Sequence, residues 1–263
     1  MATSSGSTPY NENFSQALQW MWGDGYLAPG GPEEVAELLT EVSLSGLDVL
    51  DVGSGLGAID VLLANEYGAK SVVGIDVEAH LIEHATERAK RQGCADRVSF
   101  KLVTPGPLPF ADASFDAVFT KDAIVHIPDK RAFYQDVLRV LKPGGLFVGS
   151  DWLRGGEDTY DATAEEWLKV VHLDFQMKNI DESRAALDEA GFERLKLRDR
   201  NDWYRQEVIK ELNTLSGDRL VELGKRIGEE QAAYRLESSQ LKKKVIDQGF
   251  LRPTHFLGYK PAS

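Results

Sequence analysis

Short apolar runs alternate with amphipathic stretches through the middle of the chain. Each run is rich in Val, Ile, Leu or Phe and is too short for a helix, so each one predicts a buried strand. The five predicted strands are residues 47–52, 71–76, 98–103, 115–120 and 146–151. Apolar residues recur at helical spacing between these runs, for example Leu81, Ile82, Ala85 and Ala89. Strands that alternate with helices predict a parallel sheet with helices on both faces.

The pattern changes after residue 151. Helical patterns at 162–176 and 180–190 lead to a predicted strand at 193–199, and a helical stretch at 204–248, broken near 216–218, leads to a last strand at 254–260. Because the last strand follows a long insertion, we expect an antiparallel member among the last two strands. The predicted fold is therefore α/β, a Rossmann-like doubly wound sheet of seven strands, mostly parallel, with a helical lid.

A chain of 263 residues fits one elaborated domain better than two separate domains. We therefore predict a single domain over residues 1–263. Residues 1–8 are rich in Ser, Thr and Gly and predict a disordered tail. Residues 9–42 predict N-terminal lid helices, and residues 152–190 and 203–250 predict helical additions around a substrate pocket. These additions are expected over the strand ends, where ligands bind in open α/β sheets.

The composition disfavours several classes of protein. A net charge of -12 argues against nucleic-acid binding, which rewards clustered Lys and Arg. No apolar run is long enough to span a membrane, and the first eight residues lack the features of a signal peptide. The single cysteine, Cys94, predicts neither a disulfide framework nor a multi-Cys metal site and fits a reducing compartment. We expect a cytoplasmic protein that is a monomer or a weak homodimer.

A glycine-rich turn directly after the first predicted strand is the strongest site signal. It reads Asp51-Val52-Gly53-Ser54-Gly55-Leu56-Gly57 and opens a helix. Glycine permits close approach of a ligand, and the helix N-terminus offers free amides. The next strand ends at Asp76, where a carboxylate either binds both hydroxyls of a ribose or caps the following helix. Asp51 would repel a pyrophosphate and suits a ligand that carries a positive charge. A dehydrogenase, or another nucleotide-binding module, is the alternative function.

These residues resemble the class I S-adenosylmethionine-dependent methyltransferases over roughly residues 47–151. The resemblance rests on the glycine turn, on Asp76 and on Leu141-Lys142-Pro143-Gly144-Gly145. It implies S-adenosyl-L-methionine as the cofactor, with its methionine part on the glycine turn and its ribose on Asp76. The family often has an acid that binds adenine where this chain has Thr104. The cofactor-binding residues that the resemblance implies are Asp51, Gly53, Ser54, Gly55, Gly57, Asp76, Val77, Thr104, Lys121, Leu27 and Ala28.

Polar residues after the fourth predicted strand point to the reaction itself. Asp122 and His126 follow that strand and are expected at the same edge of the sheet as the glycine turn. A histidine titrates near neutral pH and suits removal of a proton from a methyl acceptor. A capping or packing role is the alternative for His126. Aromatic residues such as Trp22 and Tyr26 predict either a closing lid or a packed N-terminal helix.

Several segments together resemble the phosphoethanolamine N-methyltransferases and, more distantly, the sarcosine and dimethylglycine N-methyltransferases. The matching segments are Tyr10 with its spacing to Trp22-Gly23-Asp24, residues 26–31, Asp122-Ala123-Ile124-Val125-His126, and Asp151-Trp152. The resemblance implies a catalytic pair in which Tyr10 orients an amine and His126 assists removal of its proton. It also implies contact between Asp122 and the amine.

The phosphate pocket of that family is poorly matched. Its two tyrosines, its lid arginine and its lid tyrosine align with Leu18, Trp152, Leu173 and Phe175. A leucine cannot replace an arginine as a bidentate phosphate partner. Candidates for its C-terminal lysine lie at 242–244.

We therefore expect a small amine substrate, phosphoethanolamine-like or amino-acid-like, and no metal. Substrate-binding roles are predicted for Tyr26, Trp152, Lys169 and Phe175. Transfer to oxygen or carbon of a small metabolite is the alternative, because one base would serve either reaction.

Overall fold

The computed structural model describes residues 10–263, so the tail predicted at 1–8 lies outside the described residues. The strands are β1 Asp48–Val52, β2 Ser71–Asp76, β3 Val98–Leu102, β4 Phe115–Lys121, β5 Leu141–Arg154, β6 Glu193–Asp199 and β7 Leu251–Tyr259. The α-helices are α1 Glu12–Trp22, α2 Gly31–Leu38, α3 Ala58–Asn65, α4 Ala79–Arg91, α5 Lys130–Val140, α6 Ala162–Val171, α7 Ile180–Ala190, α8 Asn201–Thr214, α9 Gly217–Ile227 and α10 Glu229–Asp247.

The strands form one seven-stranded sheet in the order β3-β2-β1-β4-β5-β7-β6. Strands β1 to β5 pair in parallel, whereas β7 is antiparallel to both β5 and β6. This topology confirms the doubly wound, mostly parallel sheet and the antiparallel member expected near its end. The strand order reverses between β1 and β4, which creates the crevice where ligands bind in such folds.

Apolar side chains cover the sheet on both faces. Val49 packs in a cluster with Leu63 of α3, whereas its neighbour Leu50 packs in a second cluster with Val137 of α5 and Leu187 of α7. Successive residues of a strand point to opposite faces, so the inner strands of the sheet, such as β1, supply both clusters. The continuous apolar runs in the sequence follow from this burial on two sides.

The helices outside this core form a further layer. Trp167 of α6, Tyr204 of α8 and Val245 of α10 share one buried cluster, and Ala17 of α1 packs with Leu223 of α9 in another. None of the helices among residues 10–263 combines the length and apolar character needed to cross a membrane. The assignment of these helices as a lid and as a substrate pocket stays a prediction.

Two helix boundaries differ from the sequence prediction. The helix predicted at 162–176 ends at Val171, because His172 adopts a left-handed conformation with φ 53°. Residues after it turn back, and the backbone N–H of Gln176 donates to the carbonyl of Val125. The stretch predicted at 204–248 breaks at Leu215 as expected and also at Gly228, whose φ of 98° ends α9.

Candidate active site

A cavity of about 1070 Å³ lies at the carboxyl ends of the parallel strands, beneath the additional helices. Small-molecule pockets usually measure roughly 300–1,000 Å³, so this cavity is large enough for a cofactor and a second small molecule. The predicted cofactor residues that line it are Gly53, Ser54, Gly55, Asp76, Val77, Thr104, Lys121, Leu27 and Ala28. The predicted catalytic and substrate residues that line it are Tyr10, Asp122, His126, Tyr26, Trp152 and Phe175.

The glycine turn requires glycine for two reasons: its backbone torsion angles are unfavourable for other residues, and a side chain would collide with neighbouring residues. Gly53 and Gly55 have φ of 83° and 55°, in the left-handed region. A side chain on Gly53 would collide with Ala123, and one on Gly55 would meet Leu27 at 3.2 Å. The backbone of the turn is therefore bare where it faces the cavity. Gly57 does not line the cavity and lies at the N-terminus of α3.

Asp76 is hydrogen-bonded to the glycine turn. Its Oδ2 accepts from the backbone N–H of Gly55 at 2.9 Å, and its Oδ1 accepts from that of Glu78 at 3.0 Å. Burial raises the pKa of Asp76 despite these two donors. The carboxylate is therefore fixed at the cavity wall, where it is free to accept further hydrogen bonds from a ligand.

Two carboxyl groups lie buried beneath the turn. Asp51, at the end of β1, does not line the cavity, and Asp60 extends from the first turn of α3 towards it. Oδ1 of Asp51 and both oxygens of Asp60 are buried with no hydrogen-bond partner among residues 10–263. Burial raises the pKa of both groups, and their proximity raises that of Asp60 further. One proton shared by the pair relieves this repulsion. Asp60 was not predicted from the sequence, although it lies among the buried, mostly apolar positions of α3.

The N-terminal segment is bonded to the wall of the cofactor site. Both carboxylate oxygens of Asp24 accept from the Arg88 guanidinium at 2.8 Å, and Nε of Arg88 donates to the carbonyl of Leu56 at 2.9 Å. The ammonium of Lys121 donates to the carbonyl of Pro29 at 3.1 Å. These bonds place Leu27 and Ala28 beside the glycine turn. Arg88 was not predicted to contribute, because its sequence position only marks a polar helix.

Tyr10 and His126 meet inside the cavity. The Tyr10 hydroxyl lies 3.2 Å from Nε2 of His126. His126 ends a single 3-10 turn, Ile124–His126, that is held from two sides. Oδ1 of Asp151 accepts from the Val125 N–H at 2.8 Å, and the Lys130 ammonium donates to the carbonyl of Ile124 at 2.6 Å. The histidine is therefore held in place by the backbone of its own turn.

The protonation states of this pair follow from their surroundings. Burial, assisted by the nearby charge of Lys130, lowers the pKa of His126 to about 4. Burial, with Asp76 and Asp122 nearby, raises the pKa of Tyr10 well above its usual value. At neutral pH the pair is therefore a neutral tyrosine and a neutral imidazole, and in the tautomer that carries its proton on Nδ1 the hydroxyl donates to Nε2.

Asp122 occupies the rim in a strained conformation. Its φ of 57° is left-handed, which costs a non-glycine residue about 1–3 kcal/mol. Its Oδ1 accepts from the Ser150 hydroxyl at 2.7 Å, and its Oδ2 pairs with the Lys121 ammonium at 2.8 Å. The carboxylate is thus held at the cavity wall by two buried partners.

Aromatic rings surround the histidine on the substrate side. The Phe175 ring lies 5.4 Å from the His126 ring and 5.5 Å from that of Trp152, between centroids. Tyr26 lines the same cavity at the N-terminal segment. Lys169 does not line the cavity, contrary to its predicted role. It lies on the outer face of α6 and pairs with Glu165 at 2.7 Å in solvent, outside the site.

Helices α8 and α10 add three charged residues to the cavity wall. Lys242 is one of the candidates for the C-terminal lysine of the resembled family, whereas Glu211 and Arg235 had no predicted role. Glu211 of α8 and both Arg235 and Lys242 of α10 line the cavity. The Lys242 ammonium lies 2.7 Å from each carboxylate oxygen of Glu211. The available sequence signal was the spacing of Arg235, Ser239 and Lys242, which places them on one face of a helix.

Comparisons with known proteins relate this chain to methyltransferases. Residues 43–191 match a family model described as a methyltransferase domain. The chain is 32% identical over 195 residues to phosphoethanolamine N-methyltransferase 1 of Zea mays, which covers 73% of this chain and 38% of that protein. It therefore spans about two fifths of the length of the plant relatives that it matches.

Two solved structures share the fold. One is Haemonchus contortus phosphoethanolamine N-methyltransferase 2 in complex with phosphomonomethylethanolamine and S-adenosylhomocysteine, with a TM-score of 0.87, 23% identity and coverage of 96% of this chain and 59% of that one. The other is a sarcosine dimethylglycine methyltransferase, so described provisionally, from Galdieria sulphuraria, with a TM-score of 0.80, 22% identity and coverage of 97% and 99%. At these identities the likeness shows the fold alone.

Proposed function

Because the chain belongs to the S-adenosylmethionine-dependent methyltransferases, we propose that it methylates the nitrogen of a small amine, with Tyr10 and His126 as the catalytic pair. The observation that carries the proposal is the 3.2 Å contact between the Tyr10 hydroxyl and Nε2 of His126 inside the cavity. The small-molecule substrate, the cytoplasmic location and the monomeric or weakly dimeric state stay predictions.

The residues at the glycine turn fit the cofactor of this family. When bound, S-adenosyl-L-methionine supplies a methyl group that is activated towards nucleophiles by a sulfonium. Asp76 presents a carboxylate suited to ribose hydroxyls, and the bare backbone of Gly53 and Gly55 permits close approach. Asp51 beneath the turn keeps one oxygen without a partner, and its negative potential favours a cationic ligand. Thr104 lines the same wall and is proposed to contact the adenine.

The catalytic pair is proposed to orient and deprotonate the amine. The hydroxyl of Tyr10 donates to His126, so its oxygen is free to accept a hydrogen bond from an amine N–H. This bond directs the nitrogen lone pair and holds the amine in place. If the amine arrives protonated, its proton passes to the tyrosine oxygen as the tyrosine proton moves to Nε2 of His126. The low pKa of His126 keeps its imidazole neutral at pH 7, so that Nε2 is available to accept the hydrogen bond from Tyr10.

Asp122 is proposed to stabilise the positive charge that develops on the acceptor nitrogen. Its carboxylate lies on the rim with Lys121 and Ser150 as fixed partners, and it retains lone pairs directed at the cavity. A developing ammonium is stabilised by a nearby carboxylate, whereas a neutral hydroxyl acceptor gains little from one. The rings of Trp152 and Phe175 add faces that suit a methylated ammonium.

Transfer to oxygen or carbon is the second candidate. The apolar lining favours it, since Leu18 and Leu173 occupy positions where the resembled family has polar phosphate contacts. An apolar metabolite with one acidic hydroxyl would use the same histidine as its base.

A cofactor-consumption screen separates these candidates. Release of S-adenosylhomocysteine is measured with phosphoethanolamine, glycine, sarcosine, dimethylglycine and simple phenols. We expect turnover with at least one amine and none with phenols. Tight cofactor binding with turnover only on phenols, or on no member of the panel, would reject the amine substrate and move the second candidate to first place.

A further inference from the structure

The cations that line the cavity differ in one respect, which is whether a carboxylate neutralises them. Lys121 pairs with Asp122, and Arg139 pairs with Asp136. Lys242 pairs with Glu211 through both carboxylate oxygens at 2.7 Å. Each of these three charges is therefore already compensated by the protein itself.

Arg235 is the exception among the lining Lys and Arg side chains of residues 10–263. Its guanidinium lies 4.3 Å above the Phe14 ring and 4.6 Å from the Tyr234 ring, and no described carboxylate or carbonyl accepts a hydrogen bond from it. Stacking on a ring uses the flat face of the guanidinium and leaves its N–H edge free. A half-buried guanidinium with free donors needs an anionic partner to offset the loss of water.

The position of Arg235 relates it to the reaction centre. The Phe14 ring on which it stacks packs edge-on against the Tyr10 ring, with centroids 5.2 Å apart. Tyr10 in turn contacts His126. A single aromatic ring therefore separates the free guanidinium from the catalytic tyrosine. Because Tyr10 and Arg235 line the same cavity, an amine whose nitrogen lies at Tyr10 can direct its far end towards Arg235.

We propose that Arg235 binds an oxyanion, a carboxylate or a phosphate, at the far end of the acceptor amine, and so selects amines that carry a negative group. This inference rests on the function proposed above. The guanidinium presents two parallel N–H donors, which match either oxyanion. Lys242 is excluded from this role, because both carboxylate oxygens of Glu211 already bind its ammonium.

The test is calorimetric binding to the protein saturated with S-adenosylhomocysteine. The anionic probes are phosphoethanolamine and dimethylglycine, and their neutral counterparts are ethanolamine and N,N-dimethylglycinamide. The variants are Arg235→Ala and Arg235→Lys. The matched control is Arg219→Ala, because Arg219 also stacks on a ring of α1, 4.7 Å from Trp20, and does not line the cavity.

We expect at least one anionic probe to bind at least tenfold more tightly than its neutral counterpart, and Arg235→Ala to abolish that difference. Arg235→Lys should keep part of it, and Arg219→Ala should keep all of it. Preference for phosphoethanolamine identifies a phosphate as the bound group, and preference for dimethylglycine identifies a carboxylate. Equal binding of neutral and anionic probes by the unmodified protein, no binding of any probe, or discrimination that survives Arg235→Ala would overturn the proposal.

The same variants separate this proposal from the proposed function. If neutral and anionic amines are methylated equally well, the role of Arg235 fails while N-methylation stands. If anionic amines bind through Arg235 but release no S-adenosylhomocysteine, the binding role stands while N-methylation of these amines fails.

Discussion

The hydroxyl of Tyr10 lies 3.2 Å from Nε2 of His126, although 116 residues separate the two in the chain. Tyr10 precedes the first helix, and His126 follows the fourth strand of the sheet. The N-terminal segment reaches this strand end because Asp24 pairs with Arg88 and Pro29 accepts from Lys121. The Tyr10–His126 contact is thus completed by a segment outside the sheet.

Removal of either member of the pair should lower turnover. We expect His126→Ala and Tyr10→Phe each to reduce kcat by more than tenfold with the best amine, because proton removal and orientation of the amine are lost. Affinity for S-adenosylhomocysteine, measured by calorimetry, should change little. Tyr67→Phe is the control, because Tyr67 lies outside the cavity. Unchanged kcat in both variants would reject the proposed roles.

His126 should titrate far below an ordinary histidine. Burial lowers its pKa from 6.5 to about 4, so His126 binds a proton less readily in the folded protein than in the unfolded chain. Stability contributed by this group should therefore fall as the pH falls from about 6.5 towards 4. Proton NMR follows the histidine ring signals through that range, with His126→Asn to assign the resonance. A midpoint at 6.5 or higher would contradict the assigned environment.

Loss of the Asp76 carboxylate should weaken cofactor binding. Hydrogen bonds to a charged group contribute about 1.5–3 kcal/mol each, so Asp76→Asn should raise the Kd for S-adenosylhomocysteine by at least tenfold. Asp48→Asn, at the opposite end of the strands, should leave the Kd unaltered. Equal affinity of Asp76→Asn and the unmodified protein would show that Asp76 only caps its loop through Gly55 and Glu78.

The buried pair of Asp51 and Asp60 should give stability a distinct pH dependence. Burial raises both folded-state pKa values, that of Asp51 to about 7, so the folded protein keeps a proton that the unfolded chain loses above about pH 4. The free energy of unfolding should fall as the pH rises through this interval. Asp60→Asn supplies a neutral donor to Asp51 and should weaken this dependence, because only the buried Asp51 then titrates.

Thermal unfolding at two pH values measures this effect. Asp60→Asn should be more stable than the unmodified protein at pH 8 by about 1 kcal/mol, or roughly 2–4 °C in Tm, and the gain should shrink at pH 5. Asp188→Asn, on the exposed face of α7, is the control. A gain that is equal at both pH values would show that no proton is shared.

The sequence indicated the parts of the fold that depend on local pattern. Alternating apolar runs predicted the strands, and the glycine turn predicted the bend between β1 and α3, because both follow from the chain itself. Asp122 and His126 were expected at one rim because parallel strands end at one edge. The ribose and catalytic roles of these residues stay predictions.

Other features depend on contacts between distant segments. Helix α6 ends at His172 because this residue adopts a left-handed backbone conformation. Such a conformation is hard to predict from sequence when the residue is not glycine. Lys169 was misplaced because its register on α6 turns it to solvent. Arg235 and Asp60 were not predicted from the sequence. Their side chains lack hydrogen-bond partners among residues 10–263, and such a lack is evident only in the packed structure.

The most direct test of the account is the fate of a labelled methyl group. S-Adenosyl-L-methionine carrying 13C in its methyl group is incubated with the protein and the amine that gives the fastest release of S-adenosylhomocysteine, and the product is examined by 13C NMR. We expect a labelled methyl on nitrogen, formed by the unmodified protein and strongly reduced in His126→Ala. A labelled methyl on oxygen or carbon, or equal product from His126→Ala, would contradict it.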